Sequence, residues 1–350
     1  MMYAAQLLMQ MAGANASAWN PPAVSAGKNS ARDDAGTSFQ TLLQQRKEHT
    51  AQSGTDTGDD PADLQDPTED VLPEDGAKDK QHAGADLAAL GAALLANGIC
   101  QIQLAFGKSI SGFDFGPGHY SPGFAHMISD KLKARGIHVA VLGCYINPTD
   151  PDENKRQLSV ARFIEHLKYA KIIGADMVGT ETGRYSSDFQ VVPETYTEEC
   201  YQLLLKSMRE IVDAAEKLGV IVGVEAVHDH TLYSPERMKR FLDDINSPNV
   251  EAILDPVNLI SGKNYKNQEG VLEQSFALYG DRISMVHIKD FRMENGEPQF
   301  EHIGDGLFHY EPLLRWLKKE KPYITMLLEN SNRERCHRDV AYLQKIYEEV

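Results

Sequence analysis

Residues 284–291 read SMVHIKDF. Met285, Val286 and Ile288 are apolar, while His287, Lys289 and Asp290 crowd the C-terminal end. That is the pattern of a buried strand ending in polar chemistry. Three other apolar runs end the same way. VIVGV at 220–224 runs into Glu225 and then His228, VEAIL at 250–254 runs into Asp255, and YITMLL at 323–328 runs into Glu329. Four strands thus each deliver one metal-capable side chain at the same end.

Outward from these runs, strand patterns alternate with helical ones. Strands are expected at 99–106, 137–143, 176–181, 220–225, 250–254, 283–288 and 324–329. Helices are expected at 86–96, 124–135, 159–173, 194–218, 234–245, 269–279, 312–319 and 334–349. Asn97–Gly98, Gly136, Gly174 and Gly219 follow four of them as terminators. Repeated βα units mean a parallel sheet. Polar groups fed from the C-terminal ends of its strands mean a closed (β/α)8 TIM barrel, whose chemistry sits on that face. An open doubly wound sheet fits less well, because no GxGxxG follows any strand.

The eighth strand is the missing piece. It belongs before the helix at 86, where PEDGAKDKQHAG, residues 73–84, makes a poor buried strand. The first strand is therefore degenerate, with 78–82 its only candidate, or absent and replaced by part of the leader. Residues 1–84 are rich in Ala, Gly, Ser, Asp and Pro, and from 52 onward nearly lack large apolar groups. Such a segment cannot offset its ordering entropy, so 1–84 reads as a disordered acidic leader and 85–350 as the barrel domain.

The totals agree. The chain has 350 residues, 42% of them apolar, which suffices for a folded core. Its net charge of −16 repels a polyanion, so nucleic acid is not the expected partner. No apolar run approaches the ~20 residues of a membrane span. The four cysteines form no CxxC pair and suit a reducing cytoplasm.

Glu225, Asp255, His287 and Glu329 supply three carboxylates and an imidazole. A single acid at a strand end is ordinarily a helix cap, a turn residue or an ion-pair partner. Four at equivalent depth on separate strands point instead to one shared ion. Oxygen-rich donors suit Mn²⁺, Mg²⁺ or Co²⁺, and Zn²⁺ also fits. Weaker candidates surround them. His228 is a substrate contact or, equally, a polar loop residue, and Arg292 could bind a hydroxyl or phosphate, although a surface role is the commoner fate of such an arginine. Glu181 ends a strand with Arg184 as an available ion-pair partner. Lys289 and Asp290 are expected to pair with each other, and Asp305 to be structural.

The runs VEAVH, LDPVN, VHIKD, HIGDG and LLEN, in that order, resemble the xylose isomerase-like barrel family over about 85–350. That family includes sugar phosphate isomerases and epimerases, ketose 3-epimerases and endonuclease IV. The resemblance implies a (β/α)8 barrel holding one divalent metal through Glu225, Asp255, His287 and Glu329. It also implies a carbohydrate substrate, proton transfer by Glu225 and Glu329 through a metal-stabilised enediolate, and, by analogy, a homo-oligomer. Ketose 3-epimerases carry a His three residues after the metal Asp. Here that place is Asn258, which can hydrogen-bond a substrate oxygen but does not titrate near neutrality. The stretch before His302 lacks the DxH pair of endonuclease IV. A sugar isomerase or epimerase is therefore expected, with an inosose-type dehydratase or a non-catalytic binding barrel as alternatives.

Overall fold

The computed structural model describes residues 99–110, 116–332 and 334–350. The expected leader, the helix at 86–96 and the candidate strand at 78–82 lie outside them. The order is β1 (Gln101–Leu104), α1 (Phe106–Ser109), α2 (Pro122–Lys133), β2 (His138–Gly143), α3 (Glu153–Ile173), β3 (Ala175–Glu181), α4 (Glu198–Leu218) and β4 (Ile221–Glu225). Then follow α5 (Pro235–Ile245), β5 (Val250–Leu254), α6 (Gln268–Tyr279), β6 (Ile283–Ile288), β7 (Asp290–Glu294), β8 (Glu297–Glu301), α7 (Tyr310–Glu320), β9 (Thr325–Leu328) and α8 (Cys336–Glu349).

Seven strands form one parallel sheet in the order β1-β2-β3-β4-β5-β6-β9. The sheet is a nearly closed TIM barrel. Its two edge strands approach each other: the Thr325 hydroxyl of β9 donates to Gln101 Oε1 of β1 at 2.8 Å, across 224 residues of chain. All seven expected strands are present, within about two residues at each end.

Side chains alternate across each strand. One set packs outward against the helices in a core that includes Leu142, Val178, Val222, Val224, Leu254, Val286 and Ile288. The other set plugs the lumen with Val141, Met177, Ile253, Met285 and Leu327. Gly179 and Gly223 pair across β3 and β4 in the lumen. A Cβ on Gly223 would collide with Met177 and Ile253, and one on Gly179 with Val141 and Ile253, so these glycines make room for the plug.

Local chemistry sets the helix ends. Asp152 caps α3, its carboxylate accepting from Asn154 N at 2.9 Å and Lys155 N at 3.3 Å. That cap starts the helix at 153 rather than at the expected 159. Thr197 and Ser234 cap α4 and α5 in the same way. Gly174 and Gly219 end α3 and α4 at positive φ, 86° and 63°, where glycine avoids the Cβ clash.

The expected pattern omits the short α1, because it runs the first strand on through 105 and 106, and it omits a hairpin. β7 and β8 pair antiparallel as a hairpin outside the barrel, with Asn295 and Gly296 at φ 53° and 85° in its turn. Asn-Gly between two extended runs is a strong hairpin signal.

Candidate metal and active site

Period-two alternation explains how the site assembles. Each site residue lies two positions beyond a lumen residue on the same strand. Ile253 precedes Asp255, Met285 precedes His287, Leu327 precedes Glu329 and Gly223 precedes Glu225. Across the strands the register pairs Glu225 with Ile253, Ile253 with Met285, and His287 with Leu327. The hydrophobic plug is thus the floor on which the polar layer rests.

Glu225, Asp255 and His287 are 1–2% exposed, and each offers a ligand atom within 4.8 Å of the others'. Donors at 2.0–2.6 Å from one ion stand roughly 3–5 Å apart, so the spacing suits a shared cation. Glu329 adjoins this group, since His287 Nδ1 lies 3.0 Å from Glu225 Oε2 and 3.2 Å from Glu329 Oε1. Asp255 Oδ2 and His287 Nδ1 are buried with ion-pair contacts but no aligned hydrogen bond, and His287 Nε2 is buried without a hydrogen-bond partner. Unsatisfied buried groups cost about 1–3 kcal/mol each, and a cation would satisfy several together. The donors are hard oxygens and one imidazole, with no thiolate among them.

Lys289 Nζ, 2% exposed, lies 2.8 Å from Asp255 Oδ2 and 2.9 Å from Glu329 Oε2. The contact with Asp255 is an ion pair without good hydrogen-bond alignment, whereas that with Glu329 is a hydrogen bond. The expected Lys289–Asp290 pair does not form. Asp290 accepts instead from the backbone N–H groups of Phe291, Gly304, Gly306 and Phe308, which pins the chain just beyond β6. Alternation decides this: Lys289 continues the lumen face of Met285 and His287, and Asp290 takes the opposite side.

Charge crowding sets the protonation states of the cluster. Burial opposes charge on His287, but Glu225 and Glu329 outweigh it and lift the imidazole to about 9. Burial likewise opposes charge on Lys289, and Asp255 and Glu329 hold the ammonium well above the usual lysine range. Burial raises Asp255 to about 6 against the pull of Lys289. At Glu329 the balance reverses: Lys289 and His287 outweigh burial and hold it at about 2. Glu329 gains from both cations and its side chain is 14% exposed, whereas that of Asp255 is 0% exposed.

The remaining candidates lie around this layer. The Asn258 amide donates to Glu225 and its backbone N–H to Asp255 Oδ1 at 3.0 Å, so it braces both carboxylates. His228, half-buried, donates its backbone N–H to Asn258 O at 2.7 Å, with its Nδ1 3.3 Å from the same oxygen. Arg292 stands on the hairpin, half-exposed, and pairs with Glu294 and Glu301 at 2.9 and 3.2 Å. It is not brought into the cluster. Glu181 aligns with Glu225 across β3 and β4. Burial first, and then Glu225, raise its carboxyl above the usual range. Its expected ion pair with Arg184 is not formed, because Arg184 pairs with Asp229 at 2.6 Å. Asp305 is structural as expected, bridging Arg335 and Arg338. Sequence reasoning missed Tyr145, whose hydroxyl accepts from Gln103 Nε2, and the Phe300 ring, 4.8 Å from Lys289 Nζ. Tyr145 continues the alternation Val141–Gly143–Tyr145 and was legible by that rule.

No curated protein sequence matches the chain. Solved structures do. The apo form of 3-keto-D-glucoside 4-epimerase, YcjR, from E. coli is 13% identical over 79% of this chain and 97% of that one, with TM-score 0.58. Endonuclease IV from Thermus thermophilus is 16% identical over 75% and 95%, with TM-score 0.55. The probable 3-DHS dehydratase AsbF of Bacillus anthracis, involved in petrobactin synthesis, is 11% identical over 73% and 92%, with TM-score 0.56. Such likeness shows the fold, and the unlike reactions of the three leave the chemistry to the site. A family-level sequence comparison matches residues 92–346 to the xylose isomerase-like TIM barrel. With that match covering most of the sequence, the chain belongs to the xylose isomerase-like TIM barrel family.

Proposed function

We propose that this barrel is a divalent-cation-dependent sugar, or sugar phosphate, isomerase or epimerase. The observation that carries the reading is the convergence of two carboxylates on one imidazole nitrogen, Glu225 at 3.0 Å and Glu329 at 3.2 Å. They come from β4 and β9, with β5 and β6 between, so they face the lumen from different sides. A carbon lodged between them has a base on either hand.

The ion is Mn²⁺, Mg²⁺ or Co²⁺, with Zn²⁺ also compatible, held by Glu225, Asp255, His287 and Glu329. When bound, it supplies Lewis acidity toward a 2-hydroxy carbonyl group. Glu225 and Glu329 then remove a proton from the carbon beside the carbonyl and return one. Asn258 holds Glu225 in direction. His228, and Arg292 if it leaves its hairpin partners, bind substrate hydroxyls or phosphate. Four cysteines scattered without a CxxC pair fit a cytoplasmic setting. None of the described helices is long and apolar enough to cross a membrane. A family match beginning at 92 supports a barrel domain from about 85, distinct from the leader.

A dehydratase is the second reading. Glu181 favours it, since its raised carboxyl at the strand ends adds an acid that can protonate a departing hydroxide. Incubation with candidate ketoses in deuterated water separates the two. Isomerase or epimerase activity places deuterium on the carbon beside the carbonyl without loss of water. Release of water with formation of an unsaturated or deoxy product supports the dehydratase and overturns the first reading.

A further inference from the structure

The cluster already contains a cation of its own. Lys289 Nζ sits between Asp255 Oδ2 and Glu329 Oε2, at 2.8 and 2.9 Å, and is almost wholly withdrawn from water. Asp255 has two oxygens, and their surroundings differ. Oδ1 is occupied by the backbone N–H of Asn258 at 3.0 Å. Oδ2 lies 2.8 Å from the ammonium without an aligned hydrogen bond. Oδ2 carries no backbone hydrogen bond and is the freer oxygen to offer to a metal ion, and it is the one that Lys289 holds. Glu329 is divided differently: Oε1 faces His287 and Oε2 receives a hydrogen bond from Lys289.

We infer that Lys289 and the divalent ion compete for Asp255 Oδ2, so that metal loading moves the ammonium off Asp255 while it keeps Glu329. The inference rests on the metal site proposed above and deepens it. Without an ion, the ammonium would offset part of the charge of the buried Glu225 and Asp255 and the partly exposed Glu329, which stabilises the protein. The arriving dication must break that pair and then lie beside a positive charge in a site of low dielectric. Lys289 therefore lowers metal affinity and narrows the stability difference between the loaded and unloaded chains. Phe300, with its ring 4.8 Å from Nζ, lies on the hairpin side, where the freed ammonium hydrogens are available to a substrate oxygen.

Two measurements on the full chain test this. Calorimetric titration of Mn²⁺ into wild type and Lys289→Met compares affinities, with Lys289→Gln as the companion should the Met variant fail to fold. The expected result is an affinity higher by about tenfold or more in the variant, and a larger rise in Tm on adding Mn²⁺. Equal or weaker affinity overturns the inference while leaving the metal site standing. A crystal structure of the Mn²⁺-loaded wild type needs no variant. Lys289 Nζ beyond about 4 Å from Asp255 Oδ2 supports the exchange. An unchanged ion pair with the metal present overturns it. Wild-type protein that takes up no Mn²⁺ overturns both the inference and the reading it rests on.

Discussion

Asn258 shows how much one side chain controls. Its amide holds Glu225 and its backbone N–H holds Asp255, so the aim of two ligands depends on it. Asn258→Ala should weaken Mn²⁺ binding about 10- to 100-fold, as loss of a group that orients ligands does. Calorimetric titration checks this, and unchanged affinity removes Asn258 from that role. Glu329→Gln keeps the shape of the side chain and loses its basicity. Turnover should fall about 10²- to 10⁴-fold with an unaltered circular dichroism spectrum, and near-normal turnover would contradict its role as a base. His166 sits away from the chemistry in contact with Tyr120 and the carbonyl of Arg162. Burial lowers it to about 4, so the folded protein keeps it neutral while the unfolded chain protonates near 6.5. The unfolded state then binds the extra proton, and stability drains away as pH falls from about 6.5 to 4. Thermal melts across that window should show His166→Phe losing about 3 kcal/mol less than wild type. Parallel curves would contradict the assignment.

At the scale of the element, caps and alternation decide what forms. Asp152 satisfies two backbone N–H groups at the start of α3. Asp152→Ala should cost about 1 kcal/mol, read as a lowered Tm with the fold retained. Four of the barrel strands were legible because each combines an apolar run with a polar terminus, and β5 and β6 match their expected bounds. Lys289 was misread for a physical reason. Its partners Asp255 and Glu329 lie far along the chain, and only the lumen-facing alternation from Met285 through His287 brings them together. Asp290, adjacent in sequence, points the other way. The hairpin of β7 and β8 was hidden for a different reason. Its strands, DFRME and EPQFE, are polar and mostly exposed, so only the Asn295–Gly296 turn marks them.

Across the whole molecule, the barrel is a device for bringing distant residues to one level. Register across seven strands sets the height of the polar layer, and a plug of Val141, Met177, Ile253, Met285 and Leu327 fixes its floor. The edge strands meet through Thr325 and Gln101, a contact that ties the first described strand to the last. The expected division at residue 85 has its own test. Limited proteolysis of the full chain should trim the leader and leave a resistant fragment beginning near 85, identified by mass; early cuts inside 140–330 would contradict a continuous barrel domain. The central claim is that Glu225, Asp255, His287 and Glu329 hold one divalent ion. Electron paramagnetic resonance of Mn²⁺ added to purified protein measures that directly. One tightly bound ion per wild-type chain, lost in a folded Asp255→Asn, His287→Ala double variant, is the predicted result. No tight binding by wild type, or binding untouched by the double substitution, would contradict it.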